Sequence, residues 1–481
     1  MLADTIAAIA TPLGEGGLAV LRVSGPQALA VADKVFVPVG KSSQKPSAAA
    51  SHTVHYGRVE RDGRFVDEVL VAVLRAPRTF TREDTVELSC HGGLLPAKLV
   101  LDALLAAGAR LAGPGEFTQR AFLNGRIDLA QAEAVADVIH ARTELALTAA
   151  GEQLAGKLSQ RIHQLRDDLM RTLAHVEAHI DFPDEDIAPD TRDLLIERLH
   201  RAVGFMDELL RTANEGQILR RGIRAAIIGR PNAGKSSLLN QLLGHDRAIV
   251  SPIAGTTRDT IEETANVRGI PVVFVDTAGL RDSRDVIEIE GIRRTRAMVA
   301  KAELVLHVLD ASEPLSPEDE QFLAEFAGKK RIVVWNKADL PRVGDLQSPS
   351  AMLGAPLVES QPGSPGKSAD GVLGPVPPPV AVSCLTGAGI EGLKDAIRRA
   401  VWDGEIRAEM LQVMINSRHQ EALQRAVSST TGAIAALRDN LTLELAAMDL
   451  RIAVNAVGEV VGKTTTEDLL DSIFSQFCIG K

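Results

Sequence analysis

The feature that most constrains the fold is the stretch Gly229–Ser236, which matches the phosphate-loop pattern G-x-x-x-x-G-K-[ST]. It follows the apolar run Ile223–Ile228 and opens onto Ser237 and two leucines, so the sequence predicts a strand, a loop and a helix. At such a junction, backbone N–H groups and the helix N-terminus attract phosphate oxygens. Lys235 is expected to reach the β- and γ-phosphates, and Ser236 to ligate Mg²⁺. The sequence therefore predicts a nucleoside triphosphate site in an α/β domain.

A second motif follows the next predicted strand. The apolar run Val272–Val275 ends in Asp276-Thr277-Ala278-Gly279. At the carboxyl end of a buried strand, Asp276 is expected near the Mg²⁺ shell and the Gly279 amide near the γ-phosphate. The pattern indicates the part of a nucleotide site that responds to the terminal phosphate.

Two further motifs point to guanine. The run Ile332–Trp335 leads into Asn336-Lys337-Ala338-Asp339. An Asp after such a strand accepts both the N1 and the N2 protons of guanine, which adenine lacks. Ser383-Cys384-Leu385 follows the apolar run Val380–Val382, at the place of the base-supporting loop, where G proteins usually carry Ser-Ala. The four motifs in this order predict a GTPase domain that selects GTP.

The residues for hydrolysis are less clear from the motifs. Leu280 stands where Ras-like GTPases carry a water-orienting Gln, so another group is needed. Glu288 and Glu290 are both candidates, and both also fit solvated charges at a helix start. Upstream, Thr257 is expected to ligate Mg²⁺ in the first switch. Its neighbour Arg258 fits a structural pairing with a carboxylate better than the role of an arginine finger.

Composition limits the compartment and the partners. A chain of 481 residues divides into about three domains. Three cysteines, Cys90, Cys384 and Cys478, form no CxxC pair, which favours the reducing cytoplasm. Neither a signal peptide nor a membrane-spanning run is recognisable. The net charge of −10 means that a nucleic-acid partner needs a local basic surface, and the aromatic content of 3% disfavours base-stacking platforms.

Periodicity predicts four segments. Residues 1–118 are predicted to form an α+β domain, 119–218 and 403–481 the two parts of a discontinuous helical domain, and 219–402 a phosphate-loop GTPase domain inserted between them. Within the last of these, 341–379 is rich in Pro, Ser and Gly and is interpreted as a disordered insertion. The predicted fold class is thus multidomain α/β and α.

Local signals refine the segments. Strands are predicted at 18–23 and 68–74 and a helix at 96–107, ended by Gly108. In the helical parts, Asp128 and Gln131 form a capping pattern. Helical spacing then runs from 151 to 180, up to the acidic stretch 181–186, and a helix pair from about 190 to 219. Near the C-terminus, one face of an amphipathic helix is predicted to carry Leu441, Leu445, Met448, Ile452 and Ala456. The acidic stretch fits a solvated loop better than a cation site.

Together, these motifs resemble the MnmE family, also called TrmE, of tRNA-modification GTPases. Its relatives Era and Der share the GTPase motifs. More specific are Ala10-Thr11-Pro12, Cys90-His91-Gly92-Gly93, Pro114-Gly115-Glu116-Phe117, Arg120 to Gly125 and the final Cys478-Ile479-Gly480-Lys481. The resemblance covers the chain except 341–379.

The resemblance implies a partner protein and a one-carbon cofactor. Members of this family dimerise and bind 5-formyltetrahydrofolate or a related folate through the N-terminal domain. With the FAD-dependent MnmG (GidA), in a heterotetramer, they install an aminomethyl or carboxymethylaminomethyl group on C5 of the wobble uridine of certain tRNAs. Arg22, Glu87, Arg126 and Lys481 fall at the folate positions, although many relatives carry Lys at 126.

The resemblance also implies activation by K⁺ when two GTPase domains meet. Asn232, Ser251, Ile253 and Thr256 match the family's K⁺ ligands, and Glu288 matches its Glu-x-x-Gly-Ile motif, which favours it over Glu290 as the water-orienting residue. The other residues expected to line the nucleotide are Ala233, Gly234, Ser237, Pro252, Ala254, Gly255, Thr277 and Ala278.

Two questions stay open at this level. Cys478 fits either a nucleophile toward the uridine C6, an idea that relatives have prompted, or a packing residue, and no His or other base stands beside it in sequence. The alternative function is a ribosome-assembly switch of the Era or Der type. An Era-like chain is expected to carry a KH domain with its G-x-x-G clamp, and a Der-like chain a second phosphate loop; neither is visible.

Overall fold

The computed structural model describes residues 4–40, 44–181, 192–244, 263–275, 296–326, 328–341, 378–402, 408–439 and 441–481. The N-terminal part contains a seven-stranded sheet in the order β3-β4-β5-β6-β2-β1-β7, antiparallel except for the β1–β7 pair. Its strands are β1 (Ile6–Ile9), β2 (Leu18–Ser24), β3 (Phe36–Pro38), β4 (Thr53–Arg61), β5 (Arg64–Leu74), β6 (Thr85–His91) and β7 (Arg110–Leu111). Helices α1 (Ala28–Val35) and α2 (Leu94–Ala106) pack on the sheet and bury its alternating Val and Leu side chains.

The helical region is built from both sides of the GTPase domain. Before that domain come α3 (Glu116–Leu123), α4 (Leu129–His140), α5 (Glu144–Leu154), α6 (Lys157–Asp181), α7 (Arg192–Arg211) and α8 (Ala213–Arg221). The GTPase elements come next along the chain. They are followed by α12 (Ala408–Leu411), α13 (Ser417–Arg438), α14 (Leu443–Val460) and α15 (Glu467–Phe474). Helix α14 packs on α6 and α13, and α13 packs on α7, so the two halves share one apolar core.

A buried ion pair also joins the two halves. Glu133 on α4 lies 2.8 Å from the Arg418 Nε and 2.9 Å from the His419 Nε2, both on α13. Burial works to raise the pKa of Glu133, but the two partners outweigh it and hold that pKa well below its usual range. A charged Glu133 therefore fixes residues that are far apart in sequence.

The GTPase part contains a six-stranded sheet in the order β13-β12-β11-β8-β10-β9, parallel except for the β9–β10 hairpin. Its strands are β8 (Ile223–Ile228), β9 (Glu263–Val267), β10 (Ile270–Phe274), β11 (Leu304–Asp310), β12 (Arg331–Asn336) and β13 (Val380–Ala381). The helices α9 (Lys235–Leu243), α10 (Pro317–Glu325) and α11 (Ile390–Val401) accompany them. The carboxyl ends of β8, β11 and β12 meet at one edge of the sheet, where such folds bind ligands.

The predicted fold class is confirmed, and so are several local predictions. Helix α4 begins with the predicted capping box of Asp128 and Gln131, and α2 ends before Gly108, which has a φ of +114°. The domain boundaries at 118, 218 and 402 stay predictions. The predicted insertion at 341–379 and the acidic stretch lie almost wholly outside the described residues. In the part of the chain that the structure describes, no helix is long and apolar enough to cross a membrane.

The predicted helical spacing from 151 to 180 falls on two helices, with a short turn between them. Helix α5 ends at Leu154 and α6 starts at Lys157, with Gly156 between them at a φ of +84°. A left-handed glycine ends a helix because it turns the chain out of the helical path. The Gln131 Nε2 donates a hydrogen bond to the Leu154 carbonyl at 2.9 Å, so α4 closes the C-terminus of α5.

The predicted apolar face of α14 is wrong, because that face points outward. Leu445, Met448 and Ile452 are 44%, 53% and 45% exposed, and Leu441, which precedes the helix, is 50% exposed. Only Ala456 of the predicted face is buried. The core face consists of Ala446, Ala447, Leu450, Ala453, Val454, Val457 and Val460. Helix α14 therefore carries apolar side chains on both faces.

Candidate functional site

The phosphate loop lies between the end of β8 and the start of α9. Gly229 and Gly234 have φ values of +142° and +95°. A Cβ at Gly229 would collide with the Val308 carbonyl, and one at Gly234 with the Asn336 side-chain amide. Both positions therefore require glycine, for close approach as well as for backbone angle. Asn232, at the tip of the loop, is exposed and also left-handed, with a φ of +61°.

Lys235 is held over this loop by the loop itself. Its Nζ donates hydrogen bonds to the carbonyl oxygens of Gly229 and Arg230, each at 2.8 Å. Burial lowers the pKa of Lys235, against the attraction of Glu318. Ser236 and Ser237 are exposed in the first turn of α9. The ammonium, the helix start and the Ser236 hydroxyl form a donor set that fits a nucleoside triphosphate with Mg²⁺.

Asn336 joins the phosphate loop to the base-supporting loop. Its Nδ2 donates to the Ala233 carbonyl at 2.9 Å, and its Oδ1 accepts a hydrogen bond from the Cys384 amide at 3.2 Å. The next residue, Lys337, has a φ of +61° and places its Nζ 2.6 Å from the Asp310 Oδ2. These contacts hold three predicted motifs at the same edge of the sheet.

The base-supporting loop is a tight turn. The Ser383 amide donates to the Ala388 carbonyl at 2.9 Å, and Leu385 is 86% exposed. The Cys384 carbonyl accepts a hydrogen bond from the Gln241 Nε2 at 2.8 Å. Burial and then the charge of the exposed Asp339 raise the pKa of Cys384 to about 11. The thiol is therefore neutral at pH 7, and Asp339 lies on the same side of the loop.

Several predicted residues lie outside the described residues. They belong to the two switch segments and are Ser251, Pro252, Ile253, Ala254, Gly255, Thr256, Thr257, Asp276, Thr277, Ala278, Gly279 and Glu288. Their roles stay predictions. Among the residues that are described, no cluster of three or more His, Cys, Asp or Glu side chains is arranged to hold a metal ion.

A second group of predicted residues meets in the N-terminal part. Arg22 on β2 and Glu87 on β6 face each other in register, with the Arg22 Nε 2.8 Å from the Glu87 Oε1. The Arg22 guanidinium lies 5.9 Å from the Phe80 ring and 5.6 Å from the Phe117 ring. Arg126 lies over the Phe80 ring at 4.9 Å. Cations, a carboxylate and aromatic rings form a site suited to a planar, acidic ligand.

The C-terminal tail, residues 477–481, reaches this second site. The Phe117 amide donates to the Lys481 carbonyl oxygen at 3.1 Å, and the Gly115 amide to that of Cys478 at 3.3 Å. Pro114 and Ile479 form an antiparallel bridge. The Cys478 side chain is exposed beside these contacts. Lys481 thus contacts the backbone of Phe117, whose ring faces Arg22, and Cys478 contacts the nearby Gly115.

Sequence reasoning missed four contributors. Asp310, which holds Lys337, ends a buried strand, and the rule that was applied to Asp276 in the sequence was available for it too. Gln241 and Phe80 stand in no motif, and only their tertiary contacts reveal them. Phe117 belongs to a quoted motif, but nothing local shows that its ring faces Arg22.

Two family models together match most of the chain. One family model, described as the MnmE helical domain, matches residues 129–478, and another, the N-terminus of the GTP-binding protein TrmE, matches 5–126. Among solved structures, Era of Aquifex aeolicus bound to GDP and AlF4⁻ is 27% identical and covers 43% of this chain and 66% of its own, with a TM-score of 0.25. That score is too low to bear on the assignment.

Relatives that match over their full length show to which family the chain belongs. The tRNA modification GTPase MnmE of Geobacillus thermodenitrificans (strain NG80-2) is 46% identical over 483 residues, with 99% of each chain covered. The protein of the same name from Chloroflexus aurantiacus is 47% identical over 480 residues, covering 99% of this chain and 100% of its own. The resemblance in the motifs is confirmed, and the chain belongs to the MnmE family of tRNA modification GTPases.

Proposed function

We propose that this chain binds and hydrolyses GTP. The observation that carries the proposal is the Asn336 side chain, which contacts both the phosphate loop and the base-supporting loop. Through it, Lys235 for the phosphates and Asp339 for the guanine belong to one continuous site. Ser236 and Thr257 would hold Mg²⁺, with Asp276 near its shell, and the ion would neutralise negative charge on the phosphates.

Hydrolysis requires more than this single domain. The sequence offers no convincing cis arginine finger, and the Leu280 side chain has no group that could orient water. We infer that Asn232, Ser251, Ile253 and Thr256 hold K⁺ when two GTPase domains face each other. The exposed, left-handed Asn232 at the loop tip supports this, since its side chain is accessible to a second domain. A potassium ion held there would supply the positive charge that an arginine finger supplies elsewhere, and Glu288 would orient the water.

The N-terminal site is proposed to take a one-carbon folate. Arg22, Glu87 and Arg126 surround Phe80, and Lys481 lies beside Phe117, which supports a ligand with a flat ring and carboxylates. A folate bound there supplies the one-carbon unit. Cys478 lies at the edge of the same site, where it is either a nucleophile toward uridine C6 or a packing residue.

A dimer is proposed through the N-terminal sheet. Strands β4 and β5 expose Val54, Tyr56 and Leu70, at 65%, 48% and 46%, and Phe65 is 62% exposed. Tyr56 and Leu70 are partners in register, so their side chains share one face. An apolar face of this kind is typical of an interface between subunits.

The full proposal is that the dimer, with the FAD-dependent MnmG in a cytoplasmic heterotetramer, modifies C5 of the wobble uridine of certain tRNAs to a carboxymethylaminomethyl or aminomethyl form. The test is mass analysis of tRNA nucleosides from cells that lack the protein. We expect the C5-modified uridine to disappear and to return with the wild-type chain. Wild-type levels without the protein would reject this function and favour a ribosome-assembly switch of the Era or Der type.

A further inference from the structure

A strip of positive charge begins at the edge of the N-terminal site. The Arg82 Nη1 donates a hydrogen bond to the Asn124 carbonyl at 3.0 Å, which fixes this guanidinium beside the loop between α3 and α4. Arg126, in the same loop, lies over the Phe80 ring at 4.9 Å. Both arginines are exposed. Two loops that are distant in sequence therefore bring two cations together next to Arg22.

The strip continues across the C-terminal end of α14. Gly462 packs against Phe122 and Leu129, and the Leu129 amide donates to the Val461 carbonyl at 3.3 Å. These contacts place the exposed Lys463 beside the α3–α4 loop. A Cβ built on Gly458 would lie 3.4 Å from the Arg166 Nε and 3.5 Å from the Lys463 Cβ. The cationic strip thus consists of Arg82, Arg126, Lys463 and Arg166.

These cations are not neutralised by the described residues. No ion pair between them and a carboxylate occurs there, and the Arg166 Nε has no hydrogen-bond partner in that part of the chain. Three nearby carboxylates have other partners: Asp128 caps α4, Glu87 holds Arg22 and Glu459 pairs with Arg425. In a chain with a net charge of −10, an unpaired strip of this kind favours a polyanion.

We propose that the phosphate backbone of tRNA lies along this strip. The inference rests on the proposed function, because a uridine modified at the Arg22 site must bring its flanking nucleotides across the adjoining surface. Arg126 lies at the boundary between the strip and the N-terminal site, since its guanidinium and that of Arg22 both lie over the Phe80 ring. The contacts are to phosphates rather than to stacked bases, which matches a chain with only 3% aromatic residues.

The test reverses two charges outside the folate positions. The full-length variant Arg82→Glu/Lys463→Glu is compared with wild type and with Lys301→Glu, which reverses one charge at an exposed residue of the GTPase part. Binding of an unmodified tRNA transcript is followed by fluorescence anisotropy over a series of NaCl concentrations. We expect the double variant to bind at least about tenfold more weakly, with a salt slope lower by roughly 0.7 for each phosphate that is no longer neutralised. Lys301→Glu should match wild type.

Two further measurements separate the possible failures. Calorimetric folate binding and GTP turnover should be unchanged in the double variant, and Arg82→Gln/Lys463→Gln should show a smaller loss if the reversal itself disturbs folding. If the folded double variant binds tRNA with wild-type affinity and slope, the strip is rejected while the proposed function stands. If the wild-type chain binds no tRNA at low salt, and if cells that lack the protein still contain modified wobble uridine, both the strip and the proposed function are rejected.

Discussion

Asp339 is the residue on which we propose that nucleotide selection depends. It is exposed after β12, and its charge acts on Cys384 in the base-supporting loop. In the variant Asp339→Asn, an amide N–H faces the guanine N1 and N2 protons, and each donor left unpaired costs about 1–3 kcal/mol. We expect GTP affinity to fall and xanthosine triphosphate to bind better than GTP. Competition between the two nucleotides measures this, and an unchanged GTP affinity would count against the assignment.

Arg22 is predicted to matter for folate and not for GTP. The variant Arg22→Ala removes a guanidinium that is paired with Glu87 and flanked by two rings. Loss of a charge-assisted hydrogen bond costs about 1.5–3 kcal/mol, so binding should weaken by roughly 10–100-fold. Calorimetric titration with 5-formyltetrahydrofolate measures this, with the exposed Lys98→Ala as control. Equal affinities in Arg22→Ala and wild type would reject the site, and the basal GTPase rate should not change.

His307 makes the GTPase part sensitive to acid. It is fully buried on β11, and burial, reinforced by Arg331 and opposed by Asp319, lowers its pKa to about 4. Between pH 4 and the ordinary value of 6.5, the unfolded chain therefore binds a proton that the folded chain does not. The free energy of unfolding is highest above pH 6.5 and decreases as the pH is lowered from 6.5 to 4. At pH 5 the decrease is about 2 kcal/mol.

The variant His307→Leu should remove most of this loss. Denaturation of the full chain at pH 5 and pH 7.5, followed by the release of a fluorescent GDP, compares it with wild type. His140→Gln is the control, since that side chain is exposed. If His307→Leu and wild type lose the same stability between the two pH values, the buried imidazole does not titrate as proposed.

At the scale of single elements, helix α14 shows where sequence patterns stop being informative. The capping box at Asp128, the phosphate loop and the end of α2 at Gly108 were all predictable, because neighbouring residues determine them. Helix α14 carries apolar residues on two faces, and only its packing against α6 and α13 selects the one that is buried. The smaller residues, mostly Ala and Val, face the core because the helices approach closely there.

The same reason divides the functional sites. Motif residues that follow a strand were predictable, since the strand's end places them. The Asn336 bridge, the Lys337–Asp310 pair and the contact of Phe117 with Lys481 were not, because each joins residues far apart in sequence. A pattern in one segment carries no information about which distant segment lies against it.

The two faces of α14 should respond differently to truncation. Leu450 is fully buried between helices, and Leu450→Ala is expected to cost about 2–5 kcal/mol. Met448 is 53% exposed, and Met448→Ala should change stability by less than about 0.5 kcal/mol. Urea denaturation followed by circular dichroism compares the two. A loss at Met448 as large as that at Leu450 would show that another surface covers the outer face.

At the scale of the whole molecule, GTP turnover is predicted to depend on K⁺ and on two GTPase domains. An arginine finger accelerates GTP hydrolysis by ~10³–10⁵-fold. K⁺ bound at Asn232 should therefore accelerate it by at least about tenfold. Na⁺ should do less, because a cage of oxygens sized for K⁺ fits the smaller ion poorly. Asn232→Ala should lose most of the stimulation. Equal turnover in KCl and NaCl would reject the ion's role.

Glu288→Ala separates association from chemistry. The variant should keep K⁺-dependent association of the domains, measured by a distance probe with GDP and aluminium fluoride, and lose hydrolysis, because the carboxylate only orients the water. Normal turnover in this variant would transfer the role to Glu290 or another residue.

The contact between residues 477–481 and residues 114–117 imposes an order on synthesis. Ribosomes make the chain from its N-terminus, and N-terminal domains fold as units while later residues are still being added. Strands β1–β7 and the phosphate loop therefore precede the tail, and the Gly115 and Phe117 amides receive their partners only when Cys478 and Lys481 emerge. We therefore expect a nascent chain to be able to bind GTP before the proposed folate site is complete. We expect one-carbon chemistry to begin only on chains whose tail has been made and docked.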